Sequence, residues 1–361
     1  MAARIVLFGA TGYTGRLAAR ALVARGAAPV LAGRSRERVE ALAAELGGLE
    51  AAVADAGDAQ AIRGLLESGD VLVTSVGPFV RWGGAALRAA IDARAHYLDS
   101  TGEPAFIRAV FERHGADAAR AGAGLLTAFG YDYVPGNLAG ALALRGAGGR
   151  AISVDVGYFA GGGPQPSGGT RASAAGMLAE PAYAFTGGRL VTQRMARSVR
   201  SFDGRPAVSV GATEQFALPR LYPGLRDARV WLGWFGAASR PLQALSAATA
   251  LATRLPGARG AIETAAGRLV KGSTGGPSAA ARARARSHIV AIASDADGNE
   301  LARVKLEGDN PYDFTGAILA WGAIRAAGGG LLGSGALGPV DGFGLEALEE
   351  GVAEAGIART S

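Results

Sequence analysis

The stretch Ile5-Val6-Leu7-Phe8-Gly9-Ala10-Thr11-Gly12-Tyr13-Thr14-Gly15-Arg16 reads as a strand, a glycine turn and the first turn of a helix. Four apolar residues with no polar alternation suit a strand covered on both faces. Glycines at 9, 12 and 15 permit a tight turn that brings the N–H groups of a helix N-terminus up to a pyrophosphate. Among 57 glycines in 361 residues such a triplet arises by chance about once. Its weight therefore comes from what surrounds it. Short strand-like runs recur at 29–32, 50–54, 71–75, 96–98 and 124–128, separated by apolar spacings of helical type such as Leu87, Ala90 and Ile91. Six strands and five crossovers predict an α/β domain built on a doubly wound, Rossmann-type parallel sheet.

After about residue 140 the texture changes. Alternating runs occur at 151–159, 207–211, 288–292 and 301–306, the last two joined by the turn Asp295-Ala296-Asp297-Gly298-Asn299, with helical patterns at 171–184 and 243–255. This predicts an α+β domain with a mostly antiparallel sheet, expected to bind substrate. A helix at 315–327, a glycine-rich loop at 328–338 and a last helix at 345–355 are placed against the first domain. The expected organisation is thus 1–140, 141–310 and a returning segment 311–361.

Composition removes several kinds of chemistry. With no cysteine there is no thiolate nucleophile and no sulfur-ligated metal, and His96, His114 and His288 lack the spacing that puts two ligands on one helix face, so no metal site is expected. The net charge of +6 rests on 37 Lys+Arg against 31 Asp+Glu. It is read as compositional bias rather than as a nucleic-acid surface. The N-terminus has no signal-peptide pattern and the uncharged stretches fall short of the roughly 18 residues a spanning helix needs. The expected location is cytoplasmic.

Candidate cofactor residues lie at the carboxyl ends of the expected strands. Gly9, Thr11, Gly12, Tyr13, Thr14 and Gly15 form the turn. The second strand ends in Gly33-Arg34-Ser35 instead of the acidic residue that accepts from an NAD ribose, so Arg34 and Ser35 are candidates for the 2′-phosphate of NADP, the alternative being a solvated arginine. Asp55 either meets adenine or caps the next helix. Ser75, Val76, Gly77, Pro78 and Phe79 follow the fourth strand, near the nicotinamide half. For proton transfer the candidates are Tyr131, Asp132 and Tyr133 after the sixth strand, with His96 and Asp99 in reserve. None of the eight tyrosines has Lys four residues on. That excludes the Tyr/Lys acid of short-chain dehydrogenases.

Taken together, GATGYTG (9–15), AGR (32–34), VGPF (76–79), HYLDSTGE (96–103), GYDYVPGNL (130–138), PSGGT (166–170), GDNPYDFT (308–315) and GPVDGFG (338–344) resemble the saccharopine dehydrogenase-like reductases, including their trans-acting enoyl reductase branch. Relatives commonly read Gly-Phe-Asp-Ser-x-Pro-Ser-Asp where this chain has Tyr131, Tyr133, Gly136 and Asn137. The resemblance implies an NADP-binding domain, an α+β substrate domain and NADPH-dependent reduction of an activated double bond. An enoyl group of a small-molecule or carrier-bound acyl substrate in lipid or polyketide metabolism is the leading expectation. The alternatives are a saccharopine-type C=N oxidoreductase and a non-catalytic NADP(H)-binding regulator. The apolar stretch 230–255 is read either as core or as a lid or docking face for lipid or membrane, and a homodimer is a further candidate state.

Overall fold

A computed structural model describes residues 3–162, 167–168, 180–252 and 275–361. The chain divides into two units, the first made of Met1–Gly102, Phe106–Val134 and Pro311–Gly356, the second of Glu103–Ala105, Pro135–Asn310 and Ile357–Ser361.

In the first unit the six expected strands are β1 (Ile5–Phe8), β2 (Val30–Gly33), β3 (Ala51–Val53), β4 (Val71–Thr74), β5 (His96–Asp99) and β6 (Gly124–Leu126). They pair in parallel in the order β6-β5-β4-β1-β2-β3, with the two-residue strand Gly335–Ala336 outside β6. β1, β2 and β4 are buried along their whole length, as a sheet covered on both faces requires. The strand order reverses between β1 and β4. In open α/β sheets that switch point opens a crevice beyond the carboxyl ends of the strands, where ligands bind.

Four helices near this edge matter here: α1 (Tyr13–Ala24), α2 (Arg36–Glu45), α3 (Ala59–Arg63) and α4 (Phe79–Ala93). The helix Pro311–Ala327 packs along α1. It starts four residues before the expected 315, because Pro311 has no N–H to satisfy and its fixed φ suits a first helical turn. Gly316 allows the approach: a Cβ there would stand 2.9 Å from Leu17 Cβ and 3.0 Å from the Leu17 backbone carbon.

The second unit holds a mixed sheet, with β7 (Ser153–Gly161), β8 (Pro181–Thr186), β9 (Arg189–Arg194), β10 (Val199–Phe202), β11 (Arg205–Val210), β12 (Asp227–Leu232), β13 (Arg286–Ser294) and β14 (Glu300–Gly308). All pairs are antiparallel except β7 with β12. Phe159, Phe202, Trp231, Val290 and Ile292 gather on one sheet face, and Gly233 is required there because a Cβ would run into the Phe159 ring.

Several expectations change. Residues 181–184, expected at the end of a helix, open β8, and the turn Gly187-Gly188, both at positive φ, sends the chain back along β9. The rest of that expected helix, 171–179, and most of the quoted PSGGT segment (166–170) lie outside the described residues, as do 253–255 of the helix expected at 243–255. The stretch Arg282-Ala283-Arg284-Ala285-Arg286, whose alternation reads as extended with three guanidiniums on one side, is split instead: Arg282 and Arg284 belong to the helix Ala279–Arg284 and Arg286 opens β13. Finally, Ile357–Arg359 forms a strand antiparallel to β14 in the second unit, so the segment 311–361 does not return whole to the first.

Gly316→Ala is expected to lower the unfolding free energy by about 1–3 kcal/mol despite the ~1 kcal/mol gained in helix propensity, since the clash is with backbone. Urea denaturation measures it.

Candidate active site

The loop after β1 is held from three sides. Gly9 N–H donates to the Ala32 carbonyl of β2 at 2.9 Å and Ala10 N–H to the same oxygen at 3.1 Å, while Gly12 N–H closes a turn onto the Gly9 carbonyl at 2.9 Å. From β4, the Ser75 hydroxyl reaches the Gly9 carbonyl at 3.4 Å. Gly9 has φ +83°, and a Cβ on it would stand 2.6 Å from a Val76 methyl; a Cβ on Gly15 would collide with the Gly9 carbonyl oxygen. Both positions therefore demand glycine. Gly12 is the N-cap of α1 without a side-chain cap, and no acidic residue stands in the first turn. Such a helix end has N–H groups and the positive end of its dipole turned toward an anion.

Around this cradle the other candidates fall as follows. Thr11 in the loop and Tyr13 and Thr14 in the first turn of α1 are half-buried, and the Tyr13 ring meets Tyr312 edge-on at 5.3 Å. Arg34 is exposed at the tip of β2, and Ser35 starts α2 without a side-chain capping bond. One turn on, the Arg38 guanidinium reaches the Thr11 carbonyl at 3.5 Å. From the sequence alone Arg38 reads as a helix-face charge, because its place beside the glycine loop depends on a contact that no local pattern carries. Asp55 does not cap α3, because its Oδ1 accepts from Gly57 N–H at 2.8 Å and Asp58 is the cap, accepting from Gln60 and Ala61. Ser75, Val76, Gly77 and Pro78 are half-buried, with Pro78 the N-cap of α4. Phe79 departs from expectation: its ring is 5% exposed and packs on Phe106 at 5.7 Å, so only its backbone remains near the edge.

The proton-transfer candidates separate sharply. His96 begins β5, in register with Val71 at the start of β4, whereas Asp99 ends the strand in register with Thr74. His96 therefore stands at the amino edge, where its Nδ1 accepts from Gly124 N–H at 3.0 Å and burial lowers its pKa. It has a structural task and leaves the list of proton donors. Asp99 is fully buried and saturated: Oδ1 accepts from Thr101 N–H at 2.8 Å and Ala128 N–H at 2.9 Å, and Oδ2 from the Thr127 hydroxyl at 2.8 Å. Burial pushes this carboxyl up to about 6, with those hydrogen bonds holding it down. Asp99 thus positions the turn after β6, where Ala128 has a positive φ of 56°.

Asp132 is different. Its Oδ1 is buried without a hydrogen-bond partner, Gly102 leaves room beside Oδ2, and burial alone lifts the carboxyl to about 7. Tyr131 and Tyr133 flank it but are buried, at 2% and 1% exposure. Tyr131 N–H donates to the Thr315 hydroxyl at 3.0 Å, and its ring faces Phe314 edge-on. Tyr312 and Thr315, which lie in the quoted GDNPYDFT segment without an assigned task, thereby tie the C-terminal helix to both the glycine loop and the Asp132 turn. Among the described residues no cluster of acidic or histidine side chains could hold a metal.

A parallel sheet with a glycine-lined helix N-terminus at its switch point defines a dinucleotide-binding domain of the α/β class. Residues 5–125 match the family model described as the saccharopine dehydrogenase NADP binding domain. The match covers about a third of the chain, and the cradle's chemistry agrees with NADP(H) binding there. Trans-acting enoyl reductases of Mycobacterium leprae and Mycobacterium ulcerans are 38% and 36% identical over 140 residues, 37% of this chain and 34% of each relative. The match thus spans about a third of the length of these relatives. Among solved structures, the apo saccharopine dehydrogenase (L-Glu forming) of Saccharomyces cerevisiae aligns over 99% of both chains with a TM-score of 0.60 at 14% identity, a likeness of fold.

Gly15→Ala is expected to abolish measurable NADPH binding in a fluorescence titration. Arg34→Ala and Arg38→Ala should each weaken NADPH by about tenfold or more, the worth of a charge-assisted pair, and leave NADH unchanged in calorimetry.

Proposed function

We propose that the protein is an NADPH-dependent reductase in which Asp132 delivers the proton that accompanies hydride transfer to an activated carbon–carbon double bond. The observation that carries this reading is the Asp132 carboxyl itself: its Oδ1 is buried and without a hydrogen-bond partner, and burial lifts its pKa to about 7. Perturbed carboxyls of this kind are suited to acid catalysis near neutral pH.

When bound, NADPH supplies the hydride. The glycine loop and the end of α1 would hold its pyrophosphate, Arg34 and Arg38 its 2′-phosphate, and the Ser75 to Pro78 turn would border its nicotinamide side. Asp132 would hold the proton that the carbon next to the activating carbonyl takes as the remote carbon is reduced. Solvent then reprotonates the carboxylate. Asp99 acts as a positioning residue through Thr127 and Ala128. The enoyl class of substrate, as a small molecule or on a carrier, is supported by the names of the relatives, which are matched over about a third of their length.

NADPH oxidation should proceed with enoyl thioesters. Turnover with imines alone would replace the enoyl assignment by C=N reduction, and tight NADPH binding without any turnover would replace it by a regulator. Asp132→Asn should lower kcat by about 10²–10⁴ with the Kd for NADPH unchanged.

The pH dependence follows in sign from the raised pKa. The proton is present below about 7 and lost above it, so kcat should fall above neutral pH. The folded protein also keeps a proton that the unfolded chain, at an ordinary carboxyl value of 3.8, releases. Stability should therefore decline as pH rises from about 4 to about 7. Asp99 adds to that decline only up to about 6. In Asp132→Asn the decline above 6 should disappear from pH-resolved denaturation curves.

A further inference from the structure

The helix Ser239–Ala252 is amphipathic the wrong way round for a helix resting on a core. Its inward side is polar: the Ser239 hydroxyl donates to the Pro206 carbonyl at 3.4 Å, the Gln243 amide to the Arg197 carbonyl at 2.8 Å, and the buried Ser246 hydroxyl to the Met195 carbonyl. Arg194 completes the anchor, donating to the Gln243 carbonyl at 3.2 Å and to Ser246 Oγ at 3.1 Å. With the polar side committed to the sheet, the outward side carries Ala244, Leu245, Ala247, Ala248 and Leu251. Leu245 is 54% and Leu251 64% exposed, and Phe235, just before the helix, is 41% exposed. An ordinary surface helix turns such residues inward.

The charges beside this face are of one sign. Arg197, Arg205 and Arg240 are exposed next to the contacts just described, and the helix contains no acidic residue. The nearby acid, Asp203, is already paired with Arg303 at 3.2 Å and Lys305 at 3.3 Å. A cleft of about 660 Å³ between the helix and the β10–β11 hairpin brings Arg240 together with Ser198 and Ser201, groups that suit a phosphate ester. An outward apolar face bordered by arginines is the pattern of a helix that lies in a lipid interface. No helix among the described residues is long and apolar enough to cross a membrane.

We propose that Phe235 and the outward side of helix Ser239–Ala252 dock onto an anionic lipid surface, with Arg197 and Arg240 meeting the phosphates. The inference does not depend on the reductase reading. It also divides the 230–255 stretch: Val230, Trp231 and Leu232 are core, and the helix that follows is a docking surface.

Flotation of the full chain with vesicles of equal parts phosphatidylglycerol and phosphatidylcholine tests it, against vesicles of phosphatidylcholine alone. The protein should float with the anionic vesicles and be released by salt. The double variant Leu245→Glu/Leu251→Glu should lose at least about tenfold in vesicle affinity while its melting temperature and NADPH affinity stay unchanged. Arg197→Gln/Arg240→Gln should remove the preference for anionic lipid. The proposal is overturned if the unmodified chain stays in solution, if the leucine variant floats equally well, or if sedimentation shows a dimer that the leucine variant dissociates. The last result would give the face to a second copy of this chain.

Discussion

The close approach between the Gly9 carbonyl and the first turn of α1 at Gly15 is the constraint on which the first unit depends. It leaves no room for a side chain, and it folds the β1 loop back so that the end of α1 is uncovered. β2 fixes the loop through the Ala32 carbonyl and β4 fixes it through Ser75 and Val76. The carboxyl ends of three strands thus converge on one short turn, and Arg38 and Tyr312 then close around it from α2 and the C-terminal helix. A bulkier residue at position 9 or 15 would displace all of these groups together.

Two aspartates at the same sheet edge show how environment divides tasks. Asp99 is buried but receives three hydrogen bonds, so its charge is spent on holding the Thr127-Ala128 turn. Asp132 has its Oδ1 buried without such donors, so burial raises its pKa further. Both effects come from removing a carboxyl from water; the difference is whether backbone N–H groups replace the lost hydration. An unsatisfied buried carboxyl costs stability, a cost that fits a functional group better than a structural one.

The parallel sheet was legible in the sequence because β1, β2 and β4 are short, mostly apolar runs ended by glycine or polar turns, and local chemistry sets those ends. The glycine turn was legible for the same reason. Phe79 was misjudged because chain position placed it at the cofactor edge, whereas packing on Phe106 turned the ring inward. His96 was misjudged because a four-residue strand separates its two ends, and only the register with Val71 shows which end His96 occupies. The role of Thr315 is a contact across 184 residues of sequence, which no local pattern carries. At Pro181 the expected helix gave way to β8 because Tyr183 and Phe185 alternate along a strand paired with β9.

The central claim is that Asp132 holds a proton at neutral pH. Carboxyl carbon NMR of the full chain labelled at aspartate, titrated beside Asp132→Asn to assign the resonance, measures this directly. A midpoint near 7 is the predicted result; a midpoint near the ordinary 3.8 would contradict the assignment of Asp132 as the acid.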